Sequence, residues 1–141
     1  MPVKIDKMRI QNLSILLILL FFSCTGNKQE TAQNHGTASM VFESNLYDFG
    51  TIPYNSDGRC YFEFTNNSNV PLVISTVRTS CGCTRPEWPE KPVKPGEKGQ
   101  IGVSYNTQIT GNFRKSITVY SNAADSPAKL YIKGIVEPKE D

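Results

Sequence analysis

Histidine is nearly absent from this sequence. The one copy, His35, sits in a run of small polar residues, and none follows it. Nucleophilic catalysis of the Ser-His or Cys-His kind needs an imidazole beside the nucleophile, and a blue-copper centre needs two. The chain after His35 supplies neither. Long apolar runs are missing too. The most apolar stretch, residues 13–22, is about half the roughly 20 residues that span a bilayer core. No stretch repeats apolar residues at a period of 3.6, so no helix of useful length is predicted after residue 24. Paired carboxylates are lacking as well, since Glu87, Glu90 and Glu97 lie scattered among prolines. No glycine-rich loop follows a strand, which excludes the usual phosphate cradle.

What is there begins at the N-terminus. Lys4, Lys7 and Arg9 precede the apolar run 13–22, which stops at Ser23 and Cys24. A basic segment, a short apolar segment and a small residue make the layout of a secretory signal peptide. The run is apolar on every face, unlike an amphipathic helix packed on a core. With a cysteine at the cleavage point it resembles a bacterial lipoprotein signal. Phe21 stands three residues before that cysteine, where such signals usually carry leucine. The expectation is removal of residues 1–23 and lipidation of Cys24. The mature chain would sit outside the cytoplasm, anchored in the envelope of a Gram-negative bacterium, at the outer membrane or the periplasmic face. Each buried acyl methylene contributes about 0.8 kcal/mol, so several chains hold where one would not.

Removing 1–23 takes three basic residues and one acidic, leaving twelve of each sign. The sequence pI of about 8.3 therefore belongs largely to the discarded segment. A neutral mature chain lacks the basic excess that nucleic-acid binding requires. Residues 24–39 are small and polar and cannot bury enough surface to offset ordering entropy. They read as a flexible tether, with His35 solvated inside it.

From about residue 40 to 137 the period is two. Cys60, Phe62 and Phe64 alternate with Tyr61, Glu63 and Thr65. Ile101, Val103 and Tyr105 do the same, as do Phe113, Ile117 and Val119 and the pair Leu130 and Ile132. Lys115 breaks its strand's parity near the entry. Val, Ile, Tyr, Phe and Thr, which suit pleated half-buried surfaces, dominate these runs. Turn residues separate them, among them Pro95-Gly96 at the centre of a predicted type II turn. The expected strands are 41–44, 47–52, 59–66, 71–79, 98–106, 113–121 and 128–136. About seven short strands in a domain of this length predict an all-β, immunoglobulin-like antiparallel sandwich, with a closed barrel as the alternative. Phe62, Phe64, Ile74, Ile101, Val103, Ile117, Val119, Leu130 and Ile132 are its expected core. Residues 138–141 form a C-terminal tail.

Beyond Cys24 three cysteines remain, Cys60, Cys81 and Cys83. An odd number in an exported protein draws attention. If strands 59–66 and 71–79 pair as a hairpin, Cys60 lies at the same end as Cys81-Gly82-Cys83. Three arrangements compete: a tight bond between Cys81 and Cys83, a bridge from Cys60 to either, or a thiolate site for a soft metal such as Cu(I) or zinc. Metal binding wants more ligands than the domain offers. The oxidising compartment favours at least one disulfide-bonded member of the pair.

Several elements together resemble one known family: Asp48-Phe49-Gly50, the Phe62-Glu-Phe-Thr-Asn66 run, Cys81-Gly82-Cys83-Thr84-Arg85-Pro86 with Trp88, Pro95-Gly96-Glu97, and 130–136. The chain from about 42 to 136 resembles domain of unknown function 1573, a group of bacterial exported proteins and lipoproteins. The resemblance implies an immunoglobulin-like fold akin to protein-recognising domains, and no established activity. Cys81, Gly82, Cys83, Thr84 and Pro86 match its motif; Cys60 does not belong to it.

Trp88 and Arg85 are the candidate binding surface, although Trp88 also suits the cover of an open core end. The expected function is protein binding or scaffolding by a lipid-anchored module. Its partners would be the membrane and another envelope protein, with no nucleic acid and no identified small-molecule substrate. No catalytic residue, cofactor or metal is assigned. The alternative is a thiol-redox or soft-metal carrier using the Cys-Gly-Cys pair.

Overall fold

The alternation in the sequence becomes two stacked sheets. The computed structural model describes residues 36–140, so the signal peptide, Cys24 and His35 lie outside the described residues. The strands are β1 (Met40–Phe42), β2 (Leu46–Ile52), β3 (Arg59–Asn66), β4 (Ile74–Thr79), β5 (Thr84–Glu87), β6 (Lys98–Tyr105), β7 (Gly111–Ser121) and β8 (Ala128–Val136). No helix occurs among the described residues. One sheet runs β1-β3-β6-β5 and the other β2-β8-β7-β4. Every residue expected in the core is buried, and Leu72, Val70, Val93, Met40 and Val136 complete it between the sheets. Burying each large apolar side chain contributes roughly 1.5–3 kcal/mol, which makes this shared core the main source of stability.

The architecture departs from the sequence expectation in four places. There are eight strands rather than seven. The extra one, β5, contains Pro86, and proline argues against a strand unless it lies on an edge; β5 is an edge, paired only to β6. The sandwich is not wholly antiparallel, because β2 runs parallel to β8, with a register shift between Asp48 and Thr51 where Gly50 takes φ 65°. After β2 the chain leaves for the other sheet, so β2 has no hairpin partner and is closed by the last strand.

The third correction is the largest. β3 and β4 are not a hairpin: β3 pairs with β1 and β6, and β4 pairs with β7. Asn66, the last residue of the expected strand 59–66, is fully buried at the crossing point. Its amide donates to the carbonyls of Val70 (2.8 Å) and Val93 (2.9 Å). Its carbonyl accepts from the Ser68 hydroxyl (2.6 Å) and the Ser68 N–H (3.2 Å). A local polar knot thus satisfies the backbone as it swings between sheets, and residues 71–73 contribute one isolated bridge, Leu72 to Val93, instead of a strand. Lastly, packing begins before residue 40. Ala38, assigned by composition to the tether, is buried and bridged to Ala123, whose neighbour Ala124 donates its N–H to the Ala38 carbonyl (3.0 Å).

Candidate functional site

β4 belongs to one sheet and β5 to the other, so the segment 80–83 is the link where the chain changes sheets. Cys81 and Cys83 close it with a disulfide, their Cα atoms 5.3 Å apart. Both sheets grip the link. On one side the Ser80 N–H donates to the Ser116 carbonyl (3.0 Å), and the Ser116 N–H returns a bond to the Ser80 hydroxyl (3.2 Å). On the other side the Asn106 N–H donates to the Cys83 carbonyl (2.9 Å). Across the middle the Thr79 hydroxyl faces the carbonyls of Cys81 (3.0 Å) and Thr84 (3.1 Å), and the Thr84 N–H donates to the Cys81 carbonyl (3.3 Å). Thr84 is buried, its hydroxyl 3.6 Å from the Cys81 sulfur and 3.8 Å from the Cys83 sulfur, the range of weak contacts to sulfur.

The outward side is plain by comparison. Gly82 and Arg85 are exposed, and the two cysteines are half-buried. A Cβ built on Gly82 meets nothing within 4 Å, so the turn does not demand glycine for space. Cys83 and Trp88 pack against the core cluster, and Pro86 is half-buried in β5. The motif residues Cys81, Gly82, Cys83, Thr84 and Pro86 therefore sit together at this corner. Arg85 faces outward from it, and Trp88 closes the core two residues on. Sequence reasoning missed Thr79, Asn106 and Ser116, whose bonds to the corner span 2 to 36 residues of chain; only Thr79, two residues before Cys81, lay near enough to the motif to be found.

Cys60 is elsewhere in the chemistry. It is free, 2% exposed, and paired in register with Val103, so the bridge from Cys60 is not made. Burial pushes its thiol from the ordinary 9.0 up to about 12. Because the folded value is the higher one, the stabilisation is fully present below the unfolded value. It is lost as pH rises from about 9 towards 12, at about 1.4 kcal/mol per unit. Wild-type stability in urea should accordingly fall between about pH 9 and 11 more steeply than that of Cys60→Ala. Equal slopes would contradict the assignment. Unfolded without reductant, the chain should show one thiol besides Cys24, and after reduction three.

The link is short, so its disulfide constrains little unfolded chain. For a closed loop of three residues the chain-entropy model gives about 1.6 kcal/mol. Cys81→Ser/Cys83→Ser should cost about that much, with the corner still held by Thr79, Asn106 and Ser116. Loss of cooperative unfolding in the double variant would show that the bond, and not the hydrogen bonds, builds the corner. Among the described residues no group of three His, Cys, Asp or Glu side chains could hold a metal ion.

Comparison with known proteins places this geometry. The model of a family described as protein of unknown function (DUF1573) matches residues 40–136. Among solved structures, a protein of unknown function from Porphyromonas gingivalis W83 superposes with TM-score 0.63 at 18% identity, over 70% of this chain and 47% of that one. The chain thus spans about half the length of that protein. PapD-like domain 7 of human CEP192 superposes with TM-score 0.61 at 7% identity, over 74% of this chain and 89% of that domain. The CupB2 chaperone of Pseudomonas aeruginosa gives 0.50 at 8% identity, over 68% and 55%. At such identities the likeness is one of fold. No curated protein matches the chain.

Proposed function

We propose, from the premise that this chain belongs to the DUF1573 family, that it is a lipid-anchored envelope protein whose sandwich binds or scaffolds another protein. The observation that carries the reading is the disulfide-closed corner. Ser80 ties the link to Ser116 of one sheet and Cys83 ties it to Asn106 beside the other, the Thr79 hydroxyl bridges its middle, and no histidine lies in the domain to act as base. What faces solvent is Gly82 in the link and Arg85 on the edge strand β5. A surface held in place from both sheets suits recognition, where preorganisation lowers the entropy lost on binding. The PapD-like and chaperone likenesses agree with that use of the fold.

Two experiments test the reading. A photoreactive residue at position 85, in intact cells, should give one discrete adduct with an identified envelope protein, and the same residue at the exposed Ala124 should not. Adducts equal at both positions would contradict the corner's role. For the anchor, the wild-type chain should take up labelled fatty acid and Cys24→Ser should not; no uptake by the wild type would contradict it.

A second reading, thiol–disulfide exchange, has one observation in its favour: both cysteines are half-buried rather than sealed in the core. Turnover of a small disulfide by a dithiol, lost in Cys81→Ser/Cys83→Ser, would establish it.

A further inference from the structure

The two outer faces of the sandwich differ in charge. On the sheet β1-β3-β6-β5, Arg59, Arg85 and Lys98 are offset by Glu63 and Glu87, and Lys98 is bonded to Glu43 (2.8 Å) beside Glu63 (3.8 Å). The other face is one-sided. Strand register sets Arg78, Thr118 and Lys129 in one transverse row, and Arg114, Lys133 and Asp48 in another two rows along. Lys133 is paired with Asp48 (3.0 Å). Arg78, Arg114 and Lys129 make no ion pair among the described residues.

The two arginines are also held in place. The Arg78 guanidinium lies over the Tyr120 ring (5.7 Å), and Arg114 lies over Tyr131 (5.4 Å). Stacking fixes the planar group while leaving its N–H edge free for a carboxylate or phosphate, which it can bind with two parallel bonds. Four residues separate the rows along β7, about 14 Å.

Beside Arg114 the face is not flat. At the β2 bulge opens a cleft of about 390 Å³, lined by Gly50, Phe113, Gly134, Arg114 and Ile135 and by the Asp48–Lys133 ion pair, whose carboxylate is already neutralised by the lysine. Gly134 is required there: a Cβ would stand 2.8 Å from the Phe113 ring. A plane of lipid headgroups has no use for such a notch, whereas a polypeptide can place one apolar side chain in it. We infer that the Arg78–Arg114 face binds an extended acidic segment of a partner protein, with carboxylates on the two stacked arginines and an apolar residue in the cleft at Gly134. This deepens the protein-binding reading and rests on it.

The test uses the full chain in a neutral detergent and a labelled 12-residue peptide of alternating Glu and Thr with one central Phe. Binding should weaken by about fivefold or more between about 0.05 and 0.3 M salt, as screening of a charged contact requires. Arg78→Gln/Arg114→Gln should lose about tenfold or more in affinity, since each loses a charge-assisted pair. Arg59→Gln on the opposite sheet should lose none, and a Lys/Thr peptide should not bind. Unchanged thermal unfolding of the arginine variant, checked alongside, keeps the comparison one of binding. No binding of the acidic peptide at low salt, or equal binding by the variant, would overturn the inference. So would displacement of the peptide by phosphatidylglycerol vesicles but not by phosphatidylcholine ones, which would assign the face to a membrane. In any of these cases an identified adduct from position 85 would still uphold protein binding at the corner.

Discussion

Asn66→Leu should lower the stability of this domain by about 3 kcal/mol or more, a large share of the roughly 5–15 kcal/mol typical of a domain. Leucine keeps the branched four-atom skeleton of asparagine with bulkier methyl ends, so no cavity is created and some overpacking adds to the cost. What disappears is a set of hydrogen bonds: two donated to the Val70 and Val93 carbonyls and two accepted from Ser68. Each contributes about 0.5–1.5 kcal/mol net, and the side chain is fully buried, so water cannot replace them. The backbone holds the same residue from both sides, its N–H donating to the Glu97 carbonyl (3.0 Å) and its carbonyl accepting from the Gly96 N–H (2.8 Å). The crossing between sheets and the Lys94–Glu97 turn should therefore loosen together. Asn66→Asp is the sharper control. Its shape is nearly unchanged, but it points an oxygen at two carbonyls and should be at least as damaging as leucine. Urea midpoints of the three proteins decide it: a mild aspartate variant would mean that packing, not hydrogen bonding, sets the cost.

Gly58→Val should be of similar severity, about 3–4 kcal/mol, through steric conflict plus one lost hydrogen bond. A Cβ at position 58 would collide with the Tyr105 carbonyl oxygen and stand 2.8 Å from the Thr107 methyl. The Gly58 carbonyl also accepts from the Tyr105 N–H (2.9 Å), so moving away costs that bond and disturbs the end of β6. Gly50 offers the contrast: it has open space but φ 65°, so a substitution there pays in backbone conformation alone. A thermal shift for Gly58→Val no larger than for Gly50→Ala would show that the contact at 58 relaxes freely.

These two residues mark where sequence reading stopped. The period-two runs of β3, β6, β7 and β8 gave the sandwich and its core, because alternation is a local property that one strand displays by itself. Nothing local marks Asn66 and Gly58 as structurally critical, because the pressures on them come from Val93 and Tyr105, 27 and 47 positions further along the chain. The same limit hid β5. Pro86 discourages a strand in isolation, and only the presence of β6 beside it, with nothing on the far side, makes the strand acceptable. It also hid the parallel pairing of β2, since strand direction is settled by where the chain must go next and not by its side chains. At the corner, the cysteine motif was visible as a motif. Its supports on Asn106 and Ser116 were not, because nothing local distinguishes those residues from other turn and strand positions.

The central claim is that Cys81 and Cys83 shape a recognition surface and do not react with the partner. Cross-linking from position 85 in the Cys81→Ser/Cys83→Ser background tests it most directly. The account predicts the same identified adduct as in the wild-type background, insensitive to reductant, from a protein destabilised by only about 1.6 kcal/mol. An adduct that vanishes with the cysteines while the domain stays folded would contradict it, as would a reductant-sensitive mixed disulfide to the partner trapped in either single-serine variant.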